Sequence, residues 1–136
     1  MDFGILGRLD VRDGDTVVAV RGRQQPKVLA MLLVEDGRVV PVEHLVDALW
    51  DDDPPATARR QVQNTVAALR RTLSVAGEVA LEQVGAGYRL SAGDLDAARF
   101  AELVRLARAE VDGKLFTSAH ARLCQALELW RGPALE

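Results

Sequence analysis

Four arginines and no acidic residue lie along the helix-length segment 57–73. A guanidinium group can bond guanine or phosphate through two N–H donors, and the amides of asparagine and glutamine can bond adenine. Alanines at positions 67 and 68 keep the surface low, which lets a helix backbone lie deep in a major groove. These residue types indicate a surface suited to duplex nucleic acid, with a solvated polar face as the alternative.

Helical spacing separates this segment into two faces. The apolar stripe falls within an arc of about 80° and comprises Ala58, Val62, Val66, Leu69 and Leu73. The opposite side carries Arg60, Asn64, Ala67 and Arg71, flanked by Arg59, Gln63 and Arg70 on one edge and by Thr57 and Ala68 on the other. We therefore predict a helix that buries its stripe and projects its arginines outward.

Charge is sorted along the chain in a way that the total hides. The chain has 20 acidic and 17 basic residues, a net charge of −3. Residues 54–76 nevertheless contain four arginines and no acid, whereas residues 43–53 contain five acids and no arginine or lysine. Because salt screens charges over about 8 Å at physiological ionic strength, a partner responds to the local patch. The acidic total does not exclude nucleic acid.

Several protein classes are excluded by composition and spacing. The N-terminus shows no secretory signal, and the longest apolar run, Val28–Val34, is far shorter than the roughly 20 residues that span a bilayer. The single cysteine, Cys124, excludes an internal disulfide. It lies four residues from His120, but zinc takes three or four ligands. We expect a cytoplasmic protein with no membrane segment, metal, cofactor or catalytic activity.

The strands and helices that must position the arginines are predicted from the spacing of apolar residues and from the positions of glycine and proline. Alternating apolar residues predict one strand over Phe3–Val11 and a second over Thr16–Val20. A helix is predicted from Pro26 until just before Gly37. A second helix, Val42–Trp50, ends at three aspartates and two prolines, since a residue before proline avoids helical angles.

The arginine-rich helix is the third, and Gly77 is predicted to close it. Strands over Val79–Val84 and Tyr88–Leu90 then form a hairpin across a glycine-rich turn. A short helix, a polar helix and a hairpin follow one another in the order of a helix-turn-helix with a wing.

Beyond Ser91 the pattern becomes all-helical. Asp94 or Asp96 is placed to cap one helix, and a second ends before Gly132-Pro133. The predicted apolar linings of these two helices are Leu95, Phe100, Leu103, Val104, Ala107 and Val111, then Ala119, Leu123, Ala126, Leu127 and Trp130. Such a pair resembles one unit of a helical repeat, which needs neighbours to cover its apolar face. We therefore expect a domain over residues 1–92 and the start of a truncated helical domain over residues 93–136.

Several motifs in order resemble a known family. The motifs are Asp47-Ala48-Leu49-Trp50, Pro54-Pro55-Ala56-Thr57-Ala58-Arg59, Leu69-Arg70-Arg71-Thr72-Leu73 and Gly87-Tyr88-Arg89-Leu90. They are similar to the OmpR-type winged-helix domain and, more narrowly, to the Streptomyces antibiotic regulatory proteins (AfsR/DnrI/RedD-like activators). Two later runs, Asp94–Phe100 and Leu129–Leu135, look like the bacterial transcriptional activation domain of that family.

The resemblance implies a fold and partners. The fold is an α+β winged helix-turn-helix with N-terminal strands and a C-terminal wing hairpin, followed by all-α, TPR-like helices. The partners are double-stranded DNA, read at promoter repeats, and RNA polymerase through its sigma or alpha subunit, with a second protomer on direct repeats.

Carried over by position, the resemblance makes helix 57–73 the recognition helix. Arg60, Gln63 and Asn64 would read bases, and Arg70 and Arg71 would bind phosphates. The full set of candidate DNA contacts is Thr57, Arg59, Arg60, Gln63, Asn64, Ala67, Arg70, Arg71 and Arg89.

Two parts of the candidate site carry open alternatives. Arg89 in the wing would reach the DNA backbone or stabilise its strand. Asp51, Asp52 and Asp53 lie between the second and third helices, where OmpR-type activators meet polymerase, and they are either a polymerase contact or a solvated turn.

Three departures from the family pattern predict weaker nonspecific affinity. The wing offers no basic residue over Glu82–Gly85, Pro26 stands where many relatives have a basic residue, and Pro41 replaces a serine-type cap. The rival class is a protein-interaction adaptor, in which the helical repeat binds a partner protein and the winged helix serves as a scaffold.

Overall fold

The computed structural model describes residues 1–74 and 80–135. The strands are β1 (Asp2–Gly4), β2 (Asp10–Asp13), β3 (Thr16–Val17), β4 (Val40–Pro41), β5 (Ala80–Val84), β6 (Gly87–Ser91) and β7 (Asp94–Leu95). The helices are α1 (Gln25–Val34), α2 (Val42–Trp50), α3 (Ala58–Ser74), α4 (Asp96–Asp112) and α5 (Phe116–Glu128). The predicted helix end at Gly77 and strand start at Val79 lie outside the described residues.

An N-terminal sheet has the strand order β3-β2-β1-β7. β1 pairs antiparallel with β2, Phe3 opposite Val11, and parallel with β7, Phe3 opposite Leu95. The single strand predicted over Phe3–Val11 is therefore wrong. The chain reverses at Gly7, whose φ of +141° suits glycine, so Phe3 and Val11 face each other across two strands. The second predicted strand is also shorter: β3 ends at Val17, and beyond it the Val18 N–H donates to the Val11 carbonyl at 2.8 Å.

Three helices and a second sheet, ordered β4-β6-β5, enclose the main core. The predicted stripe of α3 is buried at every position: Ala58, Val62, Val66, Leu69 and Leu73. The bounds predicted for α2 are confirmed, and those predicted for α3 shift by one residue. A Cβ added to Gly87 would lie 2.6 Å from the carbonyl oxygen of Val40, so β6 passes β4 at a distance that only glycine permits.

Asp96 joins the helical segment to the first strand. Asp94 or Asp96 is predicted to cap α4, yet the helix has no side-chain cap and Leu95 occupies the N-cap position. Asp96 is 5% exposed, and its carboxylate accepts hydrogen bonds from the backbone N–H groups of Ile5 (2.9 Å) and Leu6 (3.0 Å). The capping prediction is wrong because these donors, in a turn that leaves β1, compete for the same oxygens.

Arg131 closes the same junction from the end of α5. Its backbone N–H donates to the Leu6 carbonyl at 2.8 Å, and its guanidinium donates to the Arg8 carbonyl at 3.0 Å. The guanidinium also lies 3.6 Å from Asp96. A Cβ on Gly4 would come within 2.6 Å of this guanidinium, and a Cβ on Gly7 within 3.0 Å of the Arg131 Cβ. Two glycines thus provide the space in which Arg131 rests on the strand turn.

The α4–α5 hairpin packs mainly through small residues. Ala107, Ala119 and Ala126 are buried, and Phe100 meets Trp130 edge to face with ring centroids 5.6 Å apart. The predicted apolar lining of α5 is only partly confirmed, because Leu127 is 67% exposed. Two helices share a single contact face, which alanines fill, so larger residues around it remain outside. Within the described ranges, no helix combines the length and apolar character needed to cross a bilayer.

Candidate nucleic-acid interface

The outer face of α3 is the most concentrated polar surface that the sequence predicts, and it lies open to solvent. Ala67 is half-buried, and the other candidate positions of this helix are exposed: Thr57, Arg59, Arg60, Gln63, Asn64, Arg70 and Arg71. The opposite stripe is anchored in the core, with Leu69 fully buried. The amphipathic pattern therefore fixes which side of the helix faces outward.

Polar side chains brace the first half of α3 against the start of α1. The Thr65 hydroxyl donates to the Gln24 side chain at 2.8 Å, and Gln24 in turn donates to Gln61 at 3.4 Å. The Gln61 amide also donates to the Thr57 hydroxyl at 3.0 Å. The Thr57 hydroxyl oxygen, just before α3, therefore already accepts one hydrogen bond from within the protein. This network joins residues about forty positions apart, a relation that periodicity does not reveal.

Arg59 is not an uncompensated charge. Its guanidinium forms an ion pair with Glu43 in the first turn of α2. The prediction that the arginines of this helix carry unopposed charge is wrong at this position, because the neutralising acid comes from the preceding helix. The pair is exposed on both sides, 66% for Arg59 and 57% for Glu43.

Arg60 and Arg71 keep the predicted outward arrangement. Within residues 1–74 and 80–135, no carboxylate lies within 4.0 Å of either guanidinium. Eleven residues of helix separate them, about 16 Å along the axis at 1.5 Å per residue. Arg71 lies in the last turn, where positive charge also suits the negative end of the helix dipole.

Arg70 bonds to the wing, and Arg89, which lies within the wing, bonds to its other strand. Arg70 Nε donates to the Leu81 carbonyl of β5 at 3.0 Å, which links the end of α3 to the wing. Arg89 Nε donates to the Glu82 carboxylate across the β5–β6 pair at 2.9 Å. Arg89 thus has the geometry of the strand-stabilising alternative, and the phosphate roles of both arginines remain predictions.

A cleft separates α3 from the turn of the wing. Its volume is about 140 Å³, and its lining residues are Val42, Arg59, Gln63, Gln83, Ala86 and Tyr88. Gln83 is a wing residue that the sequence did not single out. It lies in the same cleft as Arg59 and Gln63 because the turn between β5 and β6 meets the start of α2, where the Val42 N–H donates to the Ala86 carbonyl at 2.9 Å. The cleft brings guanidinium and amide donors together.

The acidic loop lies at the opposite end of α2 from Glu43. Asp51, Asp52 and Asp53 are all exposed. Asp51 ends α2 with φ +53°, a conformation that L-residues rarely adopt, and its N–H donates to the Asp47 carbonyl at 2.8 Å. The loop therefore presents three carboxylates from a defined turn.

His120 and Cys124 lie on one face of α5, with Nε2 and Sγ 3.6 Å apart. Among the residues that the structure describes, no group of three or more potential ligands could hold a metal ion. Zinc sites take three or four ligands, and within the described residues this pair offers two.

Comparison with known families matches two consecutive regions of the chain. Residues 18–90 match the family described as "Transcriptional regulatory protein, C terminal", and residues 95–136 match "Bacterial transcriptional activator domain". The first match contains α1, α2, α3 and the wing, and the second begins at β7. The boundary between them, residues 91–94, lies just before Asp96.

Individual relatives match nearly the full chain. The chain is 39% identical over 142 residues to the transcriptional regulatory protein EmbR of Mycobacterium tuberculosis, covering 100% of this chain and 36% of EmbR. It is 39% identical over 138 residues to the regulatory protein AfsR of Streptomyces coelicolor, covering 98% of this chain and 13% of AfsR. The chain thus spans about a third, or less, of the length of these relatives.

A solved structure agrees with the fold. Mycobacterium tuberculosis EmbR, in complex with a low affinity phosphopeptide, superposes with a TM-score of 0.93 at 37% identity, covering 98% of this chain and 37% of that one. The N-terminal strands, helices and wing hairpin are therefore a winged-helix-like domain close to that of EmbR. The chain belongs to the transcriptional regulatory protein family, within the Streptomyces antibiotic regulatory protein group that joins this domain to a bacterial transcriptional activator domain.

Proposed function

We propose that this chain binds promoter DNA by inserting α3 into the major groove. Arg60, Gln63 and Asn64 bond base edges, and Arg71 pairs with a phosphate where the helix leaves the groove. The observation that carries the proposal is the outer face of α3, which projects guanidinium and amide groups from a helix whose other side is wholly buried. The protein acts by binding and needs no catalysis.

A salt titration of duplex binding tests the proposal. Each phosphate that a protein neutralises releases condensed counterions, so log K falls linearly with log salt, with a slope of about −0.9 per phosphate. Arg71→Ala should reduce the magnitude of that slope by about 1. Arg108→Ala, an exposed arginine on α4, is the matched control and should leave the slope unchanged.

The same titration identifies failure. Duplex affinity that does not depend on salt, or an Arg71→Ala slope equal to that of Arg108→Ala, would remove DNA binding by α3. The specific duplex comes from selection out of a random pool, which also yields the operator sequence.

The other partners follow from the proposed orientation on DNA. With α3 in the groove, Asp51, Asp52 and Asp53 project from the turn before it, and we assign them to a basic surface of RNA polymerase on the sigma or alpha subunit. The α4–α5 pair is the first hairpin of a TPR-like helical domain. A second protomer would occupy the adjacent direct repeat, and the nucleoid of the cytoplasm would be the place of action.

The adaptor hypothesis has one observation in its favour. Phe116 and Leu127 on α5 are 62% and 67% exposed, an apolar surface that a protein partner could cover. An adaptor of this kind would bind its partner through α5, and Arg71→Ala would not change that affinity. If α3 binds DNA, Arg71→Ala should weaken duplex binding and Leu127→Ala should not. If the chain is an adaptor, Arg71→Ala should have no specific effect on duplex binding.

A further inference from the structure

Glu43 lies at the edge of the proposed DNA surface with the wrong charge for a phosphate contact. Its carboxylate pairs with Arg59 on α3, and both side chains are more than half exposed. An exposed ion pair contributes little to folding stability, because solvent already screens both charges. Stability alone therefore does not account for an acid at this position.

Arg59 is the side chain on which Glu43 acts. It lies near the start of α3, the part of a recognition helix that contacts base edges. It also lines the cleft of about 140 Å³ beside Gln63 and Gln83. Without an acidic partner, a guanidinium on this rim could turn toward any phosphate of a bound backbone, whatever the base sequence.

The Glu43 carboxylate restricts that choice in two ways. It occupies guanidinium donors that a phosphate would otherwise take, and its negative charge offsets the positive charge that would draw Arg59 to a phosphate. The remaining donors of Arg59 stay available in a fixed orientation, since a guanidinium carries five N–H groups in one plane. Making incorrect complexes less favourable is a general route to specificity.

We propose that Glu43 is a positioning residue that keeps Arg59 on a base edge and prevents it from binding phosphates on arbitrary sequences. In the complex with the operator, Arg59 stays paired with Glu43 and donates to a base from its other nitrogens. On unrelated duplexes the paired Arg59 contributes almost nothing. This inference rests on the proposed function, because it assumes that α3 binds DNA.

Glu43→Gln in the 136-residue chain tests the proposal. Removing the charge frees Arg59 for phosphate on any sequence, so the salt slope on a shuffled duplex should become steeper by about 1. The ratio of operator to shuffled-duplex affinity should fall by about tenfold, the discrimination expected of one bidentate base contact. Arg59→Ala should lower operator affinity while leaving shuffled-duplex affinity unchanged.

Glu102→Gln is the matched control. Glu102 forms an ion pair with Arg105 on α4, with side-chain exposures of 55% and 65% that resemble those of Glu43 and Arg59. It should change neither the slope nor the ratio. In the Arg59→Ala background, Glu43→Gln should have no further effect, since the two residues act through one guanidinium.

The outcomes separate this inference from the proposed function. If the parent chain binds its selected duplex with a steep salt slope and Glu43→Gln behaves like Glu102→Gln, the inference is overturned and DNA binding stands. Persistence of the Glu43→Gln effects in the Arg59→Ala background would also overturn it. A parent chain without salt-dependent duplex binding overturns both.

Discussion

Two regions of this molecule use charged side chains in opposite ways. At the junction of β1, β7 and α4, the Asp96 carboxylate is buried and accepts hydrogen bonds from two backbone N–H groups, at 2.9 and 3.0 Å. On the outer face of α3, charges lie in solvent, and Glu43, the acid that pairs with Arg59 there, is itself exposed. The first carboxylate bonds its partners away from water, whereas the second bonds its partner in solvent.

The difference follows from desolvation. If a buried acceptor moves away, its donors have no water to bond instead. Each unsatisfied donor then costs about 1–3 kcal/mol. An exposed ion pair separates at a cost of roughly 0–1 kcal/mol. The junction therefore determines how the helical segment sits on the winged helix, whereas the face of α3 is free to bind an external ligand.

Asp96→Ala should have the largest effect on folding, because it removes the buried carboxylate of the junction. Two buried N–H groups lose their acceptor and Arg131 loses its charge partner, so the free energy of unfolding should fall by about 3–5 kcal/mol. Urea denaturation at neutral pH measures this. Asp94→Ala, which removes the exposed ion pair with Arg99, is the control and should cost less than about 1 kcal/mol. Equal losses would show that Asp96 is not the structural centre of the junction.

Gly7→Ala should have the next largest effect on folding. The residue has φ +141°, and a Cβ would meet the Arg131 Cβ at 3.0 Å, so we expect a loss of about 1–3 kcal/mol. Gly113→Ala is the control, because its φ is −84° and its nearest contact is 3.6 Å away. Thermal unfolding of the two variants should differ clearly. A Gly7→Ala midpoint equal to that of the parent would argue against tight packing under Arg131.

Arg60→Ala should affect binding and leave folding intact. Operator affinity should fall by about 1–3 kcal/mol, the value of one bidentate base contact, and the selected sequence should relax at one position. The free energy of unfolding should stay within about 0.5 kcal/mol of the parent, since the side chain is exposed. Binding by fluorescence anisotropy and urea denaturation measure both. A folding defect without a binding defect would reverse the assignment of this surface.

Glu82→Gln should have the smallest effect. The Glu82–Arg89 pair joins β5 to β6 on the exposed side of the wing, so we expect unfolding to change by less than about 1 kcal/mol. The salt slope of duplex binding should not change if Arg89 stabilises its strand. A slope that becomes steeper by about 1 would instead assign Arg89 to the DNA backbone.

The local elements were predictable because their signals are local. The α2 and α3 bounds came from apolar spacing and from prolines, and the buried stripe of α3 matched at every position. The strand over Phe3–Val11 failed because alternation does not show where a chain reverses, and Gly7 gave the only hint. Asp96 was misassigned because its donors, Ile5 and Leu6, lie 91 and 90 residues away in the chain.

The candidate site was predictable in composition and less so in charge. The outward face of α3 follows from its periodicity, but the Glu43–Arg59 pair depends on how α2 packs against α3. The acidic bias of residues 43–53 was visible, without any indication of which carboxylate would reach the arginines. The exposure of Leu127 shows a related limit, since an apolar pattern indicates a face to be covered and does not show what covers it.

The parallel pairing of β1 with β7 has a consequence for biosynthesis. Translation produces Phe3 before the winged helix, whereas its pairing partner Leu95 emerges only after the wing has been made. Throughout that interval the nascent chain exposes one edge of β1. It also exposes the two N–H groups that later donate to Asp96. Such an open edge can pair with other extended chains. A strand that is made before the winged helix is thus completed only after it, and the start of the activator domain protects it.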